Sequence, residues 1–170
     1  MKLLIVSALP RENSAAQAAV ERFRNAVSEC KILYAQEMKI SPCVGCNACW
    51  LKTPGICAVK DDYEEILKGF IEYGSVVFLA GTALNFVDHR MKNIIDRMLP
   101  LVTMGIRIVD GQCRHVPRYD RRYRLALLYD GTADQQYLEE WMGRVALNFD
   151  GESLGVFPID QAEEALSCIL

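Results

Sequence analysis

The chain has 170 residues, 51% apolar and 24% charged, enough for one buried core and short for two domains, so 1–170 is read as a single domain. A formal charge of −3 with two His offers no broad basic surface, which excludes nucleic acid as a main partner. The apolar run Met1 to Val6 is too short for a signal-peptide core, and no stretch nears the roughly 18 apolar residues of a membrane span, so a soluble cytoplasmic protein is expected.

Lys2 to Ser7 is a leucine and β-branched run ending in a turn cluster, the pattern of a central strand buried on both faces. Ser14 opens a helix over Ala15 to Val27, with Ala19, Val20, Phe23 and Val27 at helical spacing and Ser14 as its cap. Lys31 to Met38 reads as a second strand, followed by a cysteine-rich loop. Asp61 and Asp62 supply the cap and first-turn acidity of a helix through Tyr63, Ile66, Leu67 and Phe70 that ends near Gly74. Ser75 to Ala80 is the most apolar strand, and a loop from Gly81 to Val87 leads to a helix over 88–99 with Pro100 near its end.

Ile106 to Val109 and Gln112 to Val116, joined by Asp110-Gly111, predict a hairpin with a type I′ turn outside the main sheet. Arg114, Arg118, Arg121, Arg122 and Arg124 then read as a solvated connector face. Arg124 to Tyr129 is the fourth core strand, Asp130-Gly131-Thr132 its terminal turn, Tyr137 to Leu147 a helix, and Leu154 to Phe157 the fifth strand. Strands alternating with helices indicate right-handed βαβ units, hence an α/β fold with a doubly wound, parallel five-stranded sheet in the order 2-1-3-4-5 and a hairpin excursion before strand 4.

Ligands of such sheets bind beyond the carboxyl ends of the strands, at the switch point between the first and third. Here those ends are 7–14 and 81–86. The first offers hydroxyls, Arg11 and free N–H groups at a helix start, suited to a phosphate monoester, although a merely capped helix needs only Ser14. Neither G-x-G-x-x-G nor a Walker lysine occurs in it. In the second, Phe86 is either a seat for a flat ring or a core residue.

Cys43-x2-Cys46-x2-Cys49-x7-Cys57 is the strongest local pattern, four of the seven cysteines in one loop. Four thiolates near one point suit an iron–sulfur cluster; a zinc ion, or free thiols able to form a reversible disulfide, are the competing readings. Gly45 and Gly55 let the backbone turn around such a centre. Cys30, Cys113 and Cys168 lack comparable neighbours and read as ordinary thiols, and His89 and His115 have no nucleophile or acid that would make a hydrolytic set. Asp96-Arg97 reads as a structural ion pair or a cap to a neighbouring loop.

Together these segments resemble the flavodoxin-like family of NADPH-dependent FMN reductases and iron–sulfur flavoproteins. Ser7 to Ser14 is similar to that family's first loop, G-S-P-R followed by S-x-T, which holds the FMN phosphate. The resemblance implies Ser7, Arg11 and Ser14 as phosphate contacts, with Asn13 and Ala16 beside them; Ala16 stands where the family often has Thr. The run Ile40 to Asp62, with Pro42-Cys43, Gly45-Cys46, Cys49-Trp50, Thr53-Pro54-Gly55 and Cys57, resembles a subgroup in which four cysteines hold a [4Fe-4S] cluster. That implies Cys43, Cys46, Cys49 and Cys57 as its ligands.

Gly81 to Arg97 is similar to the family's second loop and helix, with Lys92, Asp96 and Arg97 matching K-x-x-x-D-R. This implies a flavin ring against Thr82, Ala83, Leu84, Asn85 and Phe86, where Ala83 and Asn85 depart from the usual Pro and aromatic. Gly131 and Thr132 would form a third flavin loop. The implied function is an FMN-dependent oxidoreductase or electron-transfer protein, fed by a reduced nicotinamide or a ferredoxin-type donor and assembled as a homo-oligomer. The alternative is a non-enzymatic binding or thiol-sensing protein on the same fold with a degenerate flavin site.

Overall fold

The computed structural model describes residues 1–170. Five parallel strands, β1 (Lys2–Ser7), β2 (Glu29–Tyr34), β3 (Ser75–Ala83), β7 (Arg124–Asp130) and β8 (Glu152–Pro158), form the path β2-β1-β3-β7-β8. The sheet order matches the expected 2-1-3-4-5. Pairings Lys2 with Glu29, Leu4 with Val76, Ser75 with Arg124 and Arg124 with Glu152 fix the register.

Side chains alternate across each strand, so every central strand feeds two cores. Leu4, Val6, Val76, Phe78, Leu125 and Leu127 enter a cluster of 30 buried residues beneath α3 (Tyr63–Tyr73), α4 (His89–Asp96) and α5 (Gln135–Asn148). Leu3, Ile5, Val77, Leu79, Ala126 and Leu128 enter one of 15 beneath α1 (Ser14–Ala26) and α6 (Ala162–Ile169). Helices thus cover both faces, as a parallel sheet requires. No helix is long and apolar enough to cross a membrane.

Several boundaries differ from the sequence reading. Asn13, not Ser14, caps α1: its Oδ1 accepts the Ala16 N–H at 2.8 Å. Strand β2 stops at Tyr34, and Ala35–Glu37 form a 3₁₀ turn that carries the polar Gln36 and Glu37 out of the sheet. Asp62 holds the N-cap position of α3 without a side-chain cap bond, because its Oδ2 accepts the Lys39 N–H instead. Helix α4, capped by Asp88, ends at Asp96, and Pro100 lies inside a separate 3₁₀ turn, Leu99–Leu101.

The expected loop 81–87 is a tight hairpin. Strand β3 runs on to Ala83 and pairs antiparallel with β4 (Phe86–Val87), with left-handed Leu84 and Asn85 at its tip, φ 53° and 61°. The excursion is a hairpin of β5 (Val102–Val109) and β6 (Gln112–Pro117), turned at Asp110 and Gly111 with φ 51° and 74°, as its Asp-Gly pair predicts. Helix α6 has no counterpart in the sequence reading, although Ala162, Ala165 and Ile169 follow helical spacing and are buried.

Candidate functional site

Parallel pairing brings the carboxyl ends of β1, β3 and β7 side by side, and with them three chain segments distant in sequence. Asn13 Nδ2 donates to Asp130 Oδ2 at 2.7 Å, Thr82 Oγ1 to the Asp130 carbonyl at 3.4 Å, and the Asp134 N–H to the Asn85 carbonyl at 3.1 Å. The loops 7–14, 82–86 and 130–132 therefore form one surface. Gly131 lies on it at φ 119°, close against the Thr82 hydroxyl.

The first loop differs in detail from the expected phosphate cradle. The Ser7 side chain is fully buried and its hydroxyl donates to the Leu9 carbonyl at 3.1 Å, so it faces inward rather than toward a ligand. Arg11 donates through Nε and Nη2 to the two oxygens of Glu37 at 2.6 and 2.7 Å and stacks on Tyr34 at 4.0 Å. The bonds from Arg11 hold the Glu37 carboxyl below its ordinary pKa. The Ala16 methyl is buried against the smaller core. What the loop presents outward is the exposed Ser14 and the N–H groups of Ser14 and Ala15, which have no backbone partner at the start of the 13-residue α1.

In the second loop Leu84 is fully exposed, and Ala83 and Asn85 are exposed beside it. Phe86 is half-buried, packing edge-on against Trp141 at 4.8 Å and tilted against Tyr137 at 5.5 Å. Its ring is a wall shared with α5 rather than a fully enclosed core residue.

The cysteine loop is built from both ends inward. Asp62 Oδ2 accepts the Lys39 N–H at 2.6 Å, and Asp61 Oδ2 accepts the Ser41 N–H at 2.9 Å, tying the entry of the loop to its exit. The short helix α2 (Ala48–Leu51) is held by Trp50 Nε1 donating to the Leu99 carbonyl at 2.9 Å, and by Arg118, which reaches the carbonyls of Cys49, Pro100 and Val102. Arg118 thus clamps backbone instead of sitting on a solvated face. Gly45 and Gly55 have φ of 65° and 83°, and a side chain at Gly55 would press on Tyr119.

Within this frame Cys43, Cys46, Cys49 and Cys57 all line one small cavity of about 20 Å³, closed further by Val44, Val59 and Leu99. All four are free thiols; Cys43 and Cys46 are exposed, Cys49 and Cys57 half-buried. Burial and then the neighbouring Cys57, Cys43 and Cys46 push the Cys49 thiol up. No three of these thiols converge closely enough to hold one metal ion directly. Four thiolates are a donor set that either an iron–sulfur cluster or a zinc ion uses. The donor set and its apolar walls fit the cluster.

Cys43 and Gly45 also form one edge of a cleft of about 470 Å³ whose other walls include His115, Trp141 and Phe149. His115 packs against Trp50, its ring tilted by 46° at a centroid distance of 5.0 Å. Since Trp141 touches Phe86, a single aromatic side chain separates the 82–87 hairpin from the cleft beside the cysteines.

Asp96 pairs with Lys92, not Arg97. Arg97 instead reaches Asp61 at 2.6 Å, and sequence reasoning missed this pair, which lies 36 positions apart. Burial works against the Asp61 carboxylate, yet the bonds from Arg97 and the Ser41 N–H outweigh it and hold its pKa below the ordinary value.

This arrangement of a five-strand parallel path, helices on both faces and convergent loops at the carboxyl ends is the flavodoxin-like fold. Solved structures agree: a flavone reductase superposes with TM-score 0.64 at 15% identity, over 99% of this chain and 60% of that one. An FMN-dependent NADH-azoreductase from Bacillus anthracis, in complex with FMN, gives 0.58 at 13% identity over 99% and 93%. In sequence the chain is similar to two proteins named iron–sulfur flavoproteins. That of Methanocaldococcus jannaschii is 30% identical over 105 residues, 59% of this chain and 53% of that protein. That of Archaeoglobus fulgidus is 29% identical over 125 residues, 63% and 61%. The match thus spans about half to three-fifths of those relatives' lengths. No protein-family model matches the chain.

Proposed function

We propose that the chain is an FMN-dependent redox protein, an oxidoreductase or electron-transfer flavoprotein, with an iron–sulfur cluster on Cys43, Cys46, Cys49 and Cys57. The observation that supports it most is the lining of one cavity by all four cysteines, beside a cleft that one aromatic side chain separates from the flavin-like hairpin. Bound FMN would supply one- or two-electron chemistry and the cluster single electrons, matching a reduced nicotinamide or ferredoxin-type donor to an acceptor.

The chain's own residues divide that work. A phosphate would rest on the Ser14 and Ala15 N–H groups and the Ser14 hydroxyl, with Arg11 turning to it from Glu37; the Asp130 carboxylate nearby opposes it and makes the Arg11 charge matter. Thr82, Ala83, Leu84, Asn85 and Phe86 would border the ring, and Gly131 and Thr132 its far side. Exposed Met104, Ile106 and Ile108 on the β5–β6 hairpin support a homo-oligomer.

The test is anaerobic purification with FMN titration and iron and sulfide analysis of the same sample. Brown protein that binds FMN and contains iron and sulfide is expected. Protein that binds neither overturns the proposal. Protein that binds neither but cycles between thiols and a disulfide would instead be a thiol sensor, a reading favoured by the Asp130 carboxylate at the phosphate end.

A further inference from the structure

Every polar bond that the Arg97 side chain makes goes to the two ends of the cysteine loop. Its side chain is 1% exposed and follows directly on α4, the helix after the flavin-like hairpin. Nη1 donates to the Ser41 carbonyl at 2.9 Å and to Asp61 Oδ2 at 2.6 Å. Nη2 donates to Cys57 Sγ at 3.4 Å and to the Val59 carbonyl at 3.5 Å, while the guanidinium lies over the Tyr63 ring at 4.4 Å. Ser41 precedes the first cysteine of the loop, and Val59 and Asp61 follow the last. One planar cation therefore closes the loop and touches one of its sulfurs.

An ion pair this deeply buried gains little net stability over a well-packed apolar pair, so stability alone is a poor reason for its presence. Asp61 balances the charge, and the carbonyls account for part of the fork. The bond to Cys57 is different in kind: an N–H aimed at a ligand sulfur favours the electron-rich state of any centre that sulfur holds, and hydrogen bonds to sulfur are among the determinants of cluster potential.

We infer that Arg97 is the positioning residue of the cysteine centre, closing the loop around its cavity and raising the reduction potential of the centre through its bond to Cys57. This rests on the reading that the four cysteines hold an iron–sulfur cluster. Lysine cannot substitute: it keeps the charge opposite Asp61 but has no rigid fork to reach the two backbone carbonyls and the sulfur together. Asp62 is the natural control, because it also fastens the loop, through the Lys39 N–H, with no bond to sulfur among its contacts.

The experiment reconstitutes the full chain anaerobically with ferrous iron and sulfide, as wild type, Arg97→Lys and Asp62→Asn, and measures iron content, thermal unfolding and the midpoint potential. The expected result is a lower potential in Arg97→Lys than in wild type, and an unshifted potential in Asp62→Asn despite a lower melting temperature. An iron-loaded Arg97→Lys with the wild-type potential overturns the inference while leaving the cluster reading intact. Wild type that takes up no iron overturns the cluster reading, and the inference with it. Should Arg97→Lys fail to fold, pulsed EPR of the reduced wild-type protein labelled with ¹⁵N in its arginine side chains decides: a guanidinium nitrogen coupled to the cluster upholds the inference, and its absence overturns it.

Discussion

Arg11 in the first loop and Arg97 beside the cysteine loop each approach a carboxylate oxygen at 2.6 Å, yet their side chains are 54% and 1% exposed. The chemistry is the same and the consequence is opposite. In water the Arg11–Glu37 pair is screened and exchangeable, so a ligand phosphate can take the guanidinium at little cost. In the interior, separating Arg97 from Asp61 strands a charge out of reach of water, with only two backbone N–H groups left to hold it. The first-loop end of the molecule is thus built from a pair that can let go, and the cysteine end from one that cannot.

The largest effect that would break this contrast is at Arg97. Arg97→Ala should cost about 3–5 kcal/mol in urea denaturation, the range for removing one partner of a buried pair; a loss below about 1 kcal/mol would mean that water reaches Asp61. Gly131→Ala comes next. Its φ of 119° is hostile to any side chain and the added methyl would meet the Thr82 hydroxyl, so a loss of about 1–3 kcal/mol is expected together with weaker FMN binding by fluorescence titration.

Acid sharpens the comparison further. The Asp61 pKa is lower in the folded chain than in the unfolded one, so its contribution is present above the ordinary carboxylate value and fades as pH falls through the folded value. Denaturation at a series of pH values below about 4 should show a steeper loss in wild type than in Asp61→Asn, which has no carboxylate to protonate. Equal slopes would remove the buried pair as the cause. The smallest structural effect belongs to Arg11→Ala: the melting temperature should stay at the wild-type value while FMN affinity falls several-fold, and unchanged affinity would show that the phosphate rests on backbone alone.

What the sequence discloses follows the range of the interactions involved. Strands β1, β3 and β7 are plain because burial on both faces demands unbroken apolar runs, and the Asp110-Gly111 turn is plain because few residues accept its dihedrals. The 82–87 hairpin looks like a loop in the sequence because Leu84 is a poor signal for a left-handed position, and the polar Asn85 and the short β4 offer no alternation to read. Helix α6 was legible in principle, since Glu163 and Glu164 mark a first turn and Ala162, Ala165 and Ile169 an apolar stripe, but alanines make a faint stripe. The cysteine spacing announced a centre. Its anchors Arg97, Arg118 and Trp50 come from other elements, and no local pattern links them to the cysteines. Ser7 shows the reverse limit: the hydroxyl was visible in the sequence, its inward orientation only in three dimensions.

The Asn13–Asp130 bond also bears on how the molecule comes into being. It joins residues 117 positions apart, and β1, although made first, is completed on one side by β3, which must itself receive β7. Parallel pairings of this reach close long chain loops before they return any contact energy, which slows folding. No fragment that stops short of residue 130 holds the three-loop surface, whereas the cysteine loop has all its anchors, Arg97 and Arg118 included, once the chain has passed residue 118 and begun to fold. On a ribosome, the pocket lined by the four cysteines would be assembled before the surface shared by the three loops exists.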